Sequence, residues 1–200
     1  MTEHLELRQL CVFCGSSPGS NPFYREVAGQ LGRALAAREI VLVYGGGGIG
    51  LMGAVADATL AAGGQVTGVI PAGLASREVA HQNLTALEVV ATMHERKARM
   101  ADLADAFLAL PGGMGTFDEL FEIITWAQLG IHQKPIGLLN IDHYFDPLIE
   151  MVEHAIREGF VSPHHRGLLI IADSVDEWFA RLGQFQPIKI STRWIEMSEI

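Results

Sequence analysis

Cysteine and lysine are scarce in this chain, and long apolar runs are missing from it. No stretch approaches the roughly 18 apolar residues that a membrane-crossing helix needs. The only cysteines are Cys11 and Cys14. Their C-x-x-C spacing admits a redox pair or two metal ligands. Residues 9–15 read as a strand, however, where residues three apart point to opposite faces. Thioredoxin-type cysteines open a helix instead, and a zinc site needs further ligands. Both are therefore expected to be structural, with no metal site. Lys97, Lys134 and Lys189 are the only lysines, and 14 basic residues face 23 acidic ones, a net charge of −9. That balance repels nucleic-acid polymers, while a local site can still hold a small anion. The opening residues, Met1-Thr2-Glu3-His4-Leu5-Glu6, carry acids where an export signal carries basic residues and an apolar block. The expected location is cytoplasmic, with no membrane partner.

No Pro/Ser-rich linker, charge block or repeat divides the chain. With 49% hydrophobic and 18% charged residues it reads as globular, and a single Rossmann-like nucleotide-binding domain over 1–200 is the expectation. Apolar runs predict strands over 10–15, 40–44, 66–70, 87–91, 107–110, 136–139 and 167–172. Apolar positions at helical spacing predict helices over 23–38, 51–62, 93–104, from 116 onward, 144–158 and 175–182. Residues 72–86 show no strong period, and the tail from 184 is left open. Strands alternating with helices imply an α/β, Rossmann-like doubly wound fold, its mainly parallel sheet covered by helices on both faces. Ligands bind such sheets beyond the carboxyl ends of the strands. The loops 15–21, 45–50 and 111–116 should line one crevice there.

The stretch Pro111-Gly112-Gly113-Met114-Gly115-Thr116-Phe117-Asp118-Glu119 joins an apolar strand to a helix. Glycines at 112, 113 and 115 permit positive φ and close approach of a ligand. Thr116 is a candidate N-cap, with Glu119 as its capping-box partner. A glycine turn feeding a helix start offers free N–H groups and the positive dipole end to a phosphate. Glu119 has a second reading, as a carboxylate facing the anomeric end of a ribose phosphate, where it would stabilise an oxocarbenium-like state.

Two further clusters stand out. Gly45-Gly46-Gly47-Gly48-Ile49-Gly50 satisfies G-x-G-x-x-G. The next strand ends in Val69-Ile70-Pro71, with no acid to hold a dinucleotide ribose. Leu51-Met52 also stands where a P-loop needs Lys-Ser/Thr. Met93-His94-Glu95-Arg96-Lys97-Ala98-Arg99 gathers cations at a helix start, against the helix dipole. Arg96 and Arg99 are spaced to share a face. That face is either solvated and paired with Glu95, or brought to the strand ends beside 111–119.

Together these stretches resemble the LOG ("Lonely guy") cytokinin riboside 5′-monophosphate phosphoribohydrolases, many of which once carried a lysine decarboxylase label. The matching patterns are P-G-G-x-G-T-x-x-E at 111–119, M-H-x-R-K at 93–97, and Y-G-G-G…G-L-M-G at 44–53. The resemblance runs from about Cys11 to Ala172. It implies that Arg96 and Glu119 are the catalytic pair. It implies substrate and phosphate contacts from Gly112, Gly113, Met114, Gly115, Thr116, Phe117 and Asp118, and from Glu78, Lys97 and Thr125. Met114 stands where many members carry an aromatic residue. The implied reaction is hydrolysis of the N-glycosidic bond of a cytokinin riboside 5′-monophosphate, and of AMP, releasing free base and ribose 5-phosphate. No cofactor is implied, and family members are homodimers or larger. Three other readings stand beside it: a NAD-dependent oxidoreductase, a pyridoxal-phosphate lysine decarboxylase, and a nucleotide-binding module without activity.

Overall fold

Each predicted strand forms, and the central ones are buried along most of their length. In the computed structural model of the chain, which describes residues 6–75 and 80–188, the strands are β1 (Gln9–Phe13), β2 (Val41–Tyr44), β3 (Val66–Pro71), β4 (Ala86–Val90), β5 (Ala106–Ala109), β6 (Ile136–Leu139) and β7 (Leu169–Ala172). All pair in parallel, in the order β4-β3-β2-β1-β5-β6-β7. Every residue of β5 and β6 is buried, the near-continuous apolar run that a sheet covered on both faces requires.

The helices are α1 (Pro22–Ala37), α2 (Gly50–Ala61), α3 (Ala72–Ala75), α4 (Met93–Leu103), α5 (Met114–Gln128), α6 (Asp146–Arg157) and α7 (Val175–Leu182). The apolar stripes of α1, α2 and α7 pack on one face, around Leu31, Val55 and Trp178. Those of α4, α5 and α6 pack on the other, around Met100, Leu120 and Phe145. The four-residue α3 falls where no period was legible. At Gly32 an added Cβ would lie 2.6 Å from the Val55 carbonyl, so glycine there lets α1 and α2 approach closely. Among the described residues no helix is long and apolar enough to cross a membrane.

Cys11 and Cys14 sit in opposite cores, as strand alternation requires. Both are free and buried, and burial pushes each thiol well up, so they stay protonated and unreactive. The order of strands reverses at β1, which has β2 on one side and β5 on the other. The crevice of a doubly wound sheet opens beyond the carboxyl ends at such a reversal.

Candidate active site

The exits of β1 and β5 are stitched together: Leu110 N–H donates to Phe13 O at 2.9 Å, and Gly15 N–H to Pro111 O at 3.1 Å. The chain then stays extended through Gly113 (φ −103°, ψ −154°), and α5 starts at Met114. This corrects the expected N-cap. Thr116 is the third residue of the helix, only 3% exposed, and no side chain caps α5. Thr116 and Glu119 lie on the stripe that α5 turns toward the sheet, with Leu120, Ile123 and Ala127. Side chains on that stripe point into the core and not back at the helix start. The positive φ that the glycines of this turn permit is not used. None of Gly112, Gly113 and Gly115 has positive φ. Glycine at 112 is demanded by space, because a Cβ there would lie 2.1 Å from Thr116 Oγ1. At 113 and 115 a Cβ would meet nothing within 4 Å, so the approach from outside is open. Phe117 N–H bonds back to Gly113 O at 3.1 Å. Among the described hydrogen bonds, no acceptor takes the N–H groups of residues 112–116. Free donors at the positive end of a helix form an anion site.

Beside this turn, α4 delivers Arg96 and α5 delivers Glu119. Arg96 Nη2 donates to Glu119 Oε1 at 2.7 Å, and both residues are 8% exposed. Arg96 Nη1 reaches Met93 Sδ at 3.8 Å, while its buried Nε has no partner among the described residues. Burial pushes the Glu119 carboxyl above the usual carboxylate range. Arg96 and Lys97 oppose that rise, and the neighbouring Asp118 and Glu122 add to it. A buried carboxyl raised in this way, beside a fixed cation, is suited to proton transfer.

Lys97 Nζ lies 3.2 Å from Asp118 Oδ2 and 2.9 Å from Glu122 Oε1, clamping α4 to α5. Burial lowers the Lys97 ammonium, but the hydrogen bonds from Glu122 and Asp118 outweigh it and leave its pKa raised. Arg99 does not share the Arg96 site. It turns outward to Glu88 on β4, at 2.6 and 3.0 Å. Phe117 is half-buried against the core, and Met114 is 84% exposed at the mouth of the turn. Thr125 is exposed far along α5, its hydroxyl donating to Phe121 O at 2.7 Å. Glu78 lies outside the described residues.

The three expected loops meet, but with different roles. A cavity of about 290 Å³ is lined by Ser16, Ser17, Tyr24, Leu51, Gly112 and Tyr144, among others. Residues 45–50 do not line it. The N–H groups of Leu51 and Met52, at the start of α2, are already taken by Gly15 O at 2.9 and 3.3 Å. Gly45 lies against Arg96: a Cβ there would be 2.1 Å from Arg96 Nη2. The loop thus seats the guanidinium. Sequence reasoning missed Tyr144, whose hydroxyl donates to Gly112 O. It comes from a loop 32 residues downstream, and no local pattern marks it.

A family model described as "Possible lysine decarboxylase" matches residues 52–182. The chain is 51% identical over 180 residues to a cytokinin riboside 5′-monophosphate phosphoribohydrolase of Arabidopsis thaliana, covering 90% of this chain and 83% of that protein. It is 49% identical over 180 residues to one of Oryza sativa subsp. japonica, covering 90% and 74%. Among solved structures, a molybdenum cofactor binding protein from Rippkaea orientalis superposes with a TM-score of 0.68 at 20% identity, covering 90% of this chain and 98% of that one. At that identity the likeness speaks for the fold alone.

Proposed function

The chain belongs to the LOG group within the family described as possible lysine decarboxylases, and we propose from that premise how its residues carry out the reaction. The enzyme hydrolyses the N-glycosidic bond of cytokinin riboside 5′-monophosphates, releasing free base and ribose 5-phosphate. The 5′-phosphate rests on the open N–H groups of residues 113–116. Glu119 lies five residues beyond Met114, about 8 Å along the helix, which suits a carboxylate facing the anomeric carbon of the same nucleotide. As the C1′–N bond breaks and its electron pair leaves with the base, the carboxylate stabilises the oxocarbenium-like sugar and takes a proton from the attacking water, and that proton passes on through solvent to the departing base nitrogen. Arg96 orients Glu119 and offers its unpartnered Nε to the substrate. The observation that carries this reading is the buried Arg96–Glu119 contact of 2.7 Å beside an open helix N-terminus.

The decarboxylase description fits the described lysines poorly. A pyridoxal site needs a lysine free to form a Schiff base. Lys97 is clasped by two carboxylates, and Lys134 donates to Ala101 O at 2.7 Å.

We propose AMP as a second substrate and a second copy of the chain as a partner. Thr125, a substrate-contact position by resemblance, lies about 16 Å beyond Met114 along α5, too far for the nucleotide held at that turn. It lines an apolar groove with Phe121, Ile124, Ile149, Val152 and Ile171. This apolar groove is the face offered to the second copy.

The test is incubation with isopentenyladenine riboside 5′-monophosphate and with AMP, followed by chromatography. Free base and ribose 5-phosphate should appear in equal amounts; intact nucleotide in both would reject the reading.

A further inference from the structure

Resting on the reading that the β5–α5 turn holds a phosphate, we propose that Tyr144 is a positioning residue of that turn, acting through the Gly112 carbonyl. The peptide linking Gly112 and Gly113 is planar and trans, so its oxygen and its N–H lie on opposite edges. Tyr144 Oη donates to the Gly112 oxygen, which turns the Gly113 N–H to the side away from Tyr144. The preceding peptide is held in the same manner, its Pro111 oxygen accepting from Gly15 N–H at 3.1 Å. Glycines have few steric restraints of their own, and a Cβ at 113 would meet nothing within 4 Å. The orientation of the Gly113 N–H therefore depends on these carbonyl anchors.

The anchor is itself held from several sides. The Tyr144 ring stands edge-on to Tyr24 at 5.7 Å and to Phe145 at 5.0 Å. Buried Asn140 accepts from Phe145 N–H at 2.7 Å and donates to Asp146 at 2.8 Å. Asn21, the N-cap of α1, donates to Asp142 at 2.8 Å. Just before Tyr144, Asp142 and His143 take φ of 52° and 58°, a left-handed conformation that side chains disfavour. Two consecutive residues in that region are kept only where surrounding contacts overdetermine them. Here they precede Tyr144, whose side chain crosses from the β6–α6 connection to the phosphate turn.

The test compares the wild-type chain with Tyr144→Phe, which keeps the ring and removes the donor. Steady-state kinetics with isopentenyladenine riboside 5′-monophosphate should show KM raised about fivefold to tenfold, the size of one neutral hydrogen bond. Inhibition by inorganic phosphate should weaken by the same factor, while kcat stays within about twofold. A general loosening of the fold would instead lower kcat and the melting temperature together. Unchanged KM and unchanged phosphate inhibition, or a fall in kcat alone, would overturn the assignment. Calorimetric titration of both proteins with inorganic phosphate separates the two ideas. If the wild type releases no base, the hydrolase reading fails. A difference in phosphate affinity between the two proteins would still support Tyr144, and equal affinity would reject it.

Discussion

Two glycine-rich turns, each leading from a strand into a helix, stand side by side at the carboxyl edge of this sheet. In the β2–α2 turn, Gly46 and Gly50 need positive φ (73° and 64°), and a Cβ at 50 would lie 2.3 Å from the Ser16 carbonyl carbon. Its helix N-terminus is filled by the Gly15 oxygen. In the β5–α5 turn none of Gly112, Gly113 and Gly115 takes positive φ, and two of them face open space. Its helix N-terminus is empty of protein acceptors among the described residues. The first turn satisfies the better-known glycine fingerprint, yet it packs against protein. The second is the one shaped for a ligand. Glycine content alone does not separate the two, because close packing and ligand approach both select against a side chain.

The largest expected effect comes from the pair that the two turns share. Arg96→Met and Glu119→Gln should each lower kcat about a hundredfold to a thousandfold, the usual cost of one preorganised electrostatic group. Each should also destabilise the fold by about 3–5 kcal/mol, since a single substitution strands a buried charge or its partner. The double variant should regain most of that stability without regaining activity. Denaturant unfolding with a base-release assay checks both halves, and wild-type turnover in either single variant would end the assignment.

Next come substitutions that set one turn against the other. Gly45→Ala places a methyl 2.1 Å from Arg96 Nη2. It should lower kcat by about tenfold to a hundredfold through displacement of the guanidinium, with little change in KM. Gly115→Ala meets no protein atom within 4 Å. It should raise KM for the nucleotide and leave kcat near wild type, while adding about 0.5–1 kcal/mol of helix stability. The opposite pattern, KM rising in Gly45→Ala, would make the β2–α2 loop the nucleotide contact.

The smallest effect is on pH dependence. Glu119 is held above the usual carboxylate range by burial, and Lys97 opposes that rise. The acid limb of kcat should therefore lie above the ordinary carboxylate region. Lys97→Met removes a nearby cation, which should move that limb to higher pH. Glu122→Gln removes an anion and should move it lower. The facing groups are Arg96 and Lys97 on α4, Asp118 and Glu122 on α5, and Cys11 and Cys14 at β1. For stability the sign is the reverse of an ordinary ion-paired acid. A carboxyl raised in the fold favours folding below its unfolded value near 4.5, and that contribution is lost as pH climbs through the folded value. A pH–rate profile with no displacement in either variant would detach Glu119 from the acid limb.

Much of the architecture was legible because the period of apolar residues reports the local element directly. The strand at 136–139 and the helix at 175–182 fall where periodicity puts them. Capping was legible only in part. At helix starts the spacing S/T-x-x-E occurs at Thr92–Glu95, Ser174–Glu177 and Thr116–Glu119. In the first two the hydroxyl accepts from the glutamate N–H, at 3.1 and 3.3 Å, and the carboxylate reaches back to the residue before the cap, at 2.8 Å in each. In the third the residues are buried, and the glutamate turns to Arg96. The spacing is identical in all three. Only the way each helix is rolled onto its neighbours separates a cap from a catalytic candidate.

The linear order of residues determined that strands and helices alternate, that Cys11 and Cys14 face apart, and that a glycine turn enters α5 with a carboxylate one turn inside it. These follow from backbone sterics and periodicity, which act over a few residues. Tertiary structure decided which helix start stays open, because Gly15 fills one and leaves the other. It also joined Arg96 to Glu119 across 23 residues and Tyr144 to Gly112 across 32. Contacts of that range exist only once β1 and β5 lie side by side, and no local pattern encodes them.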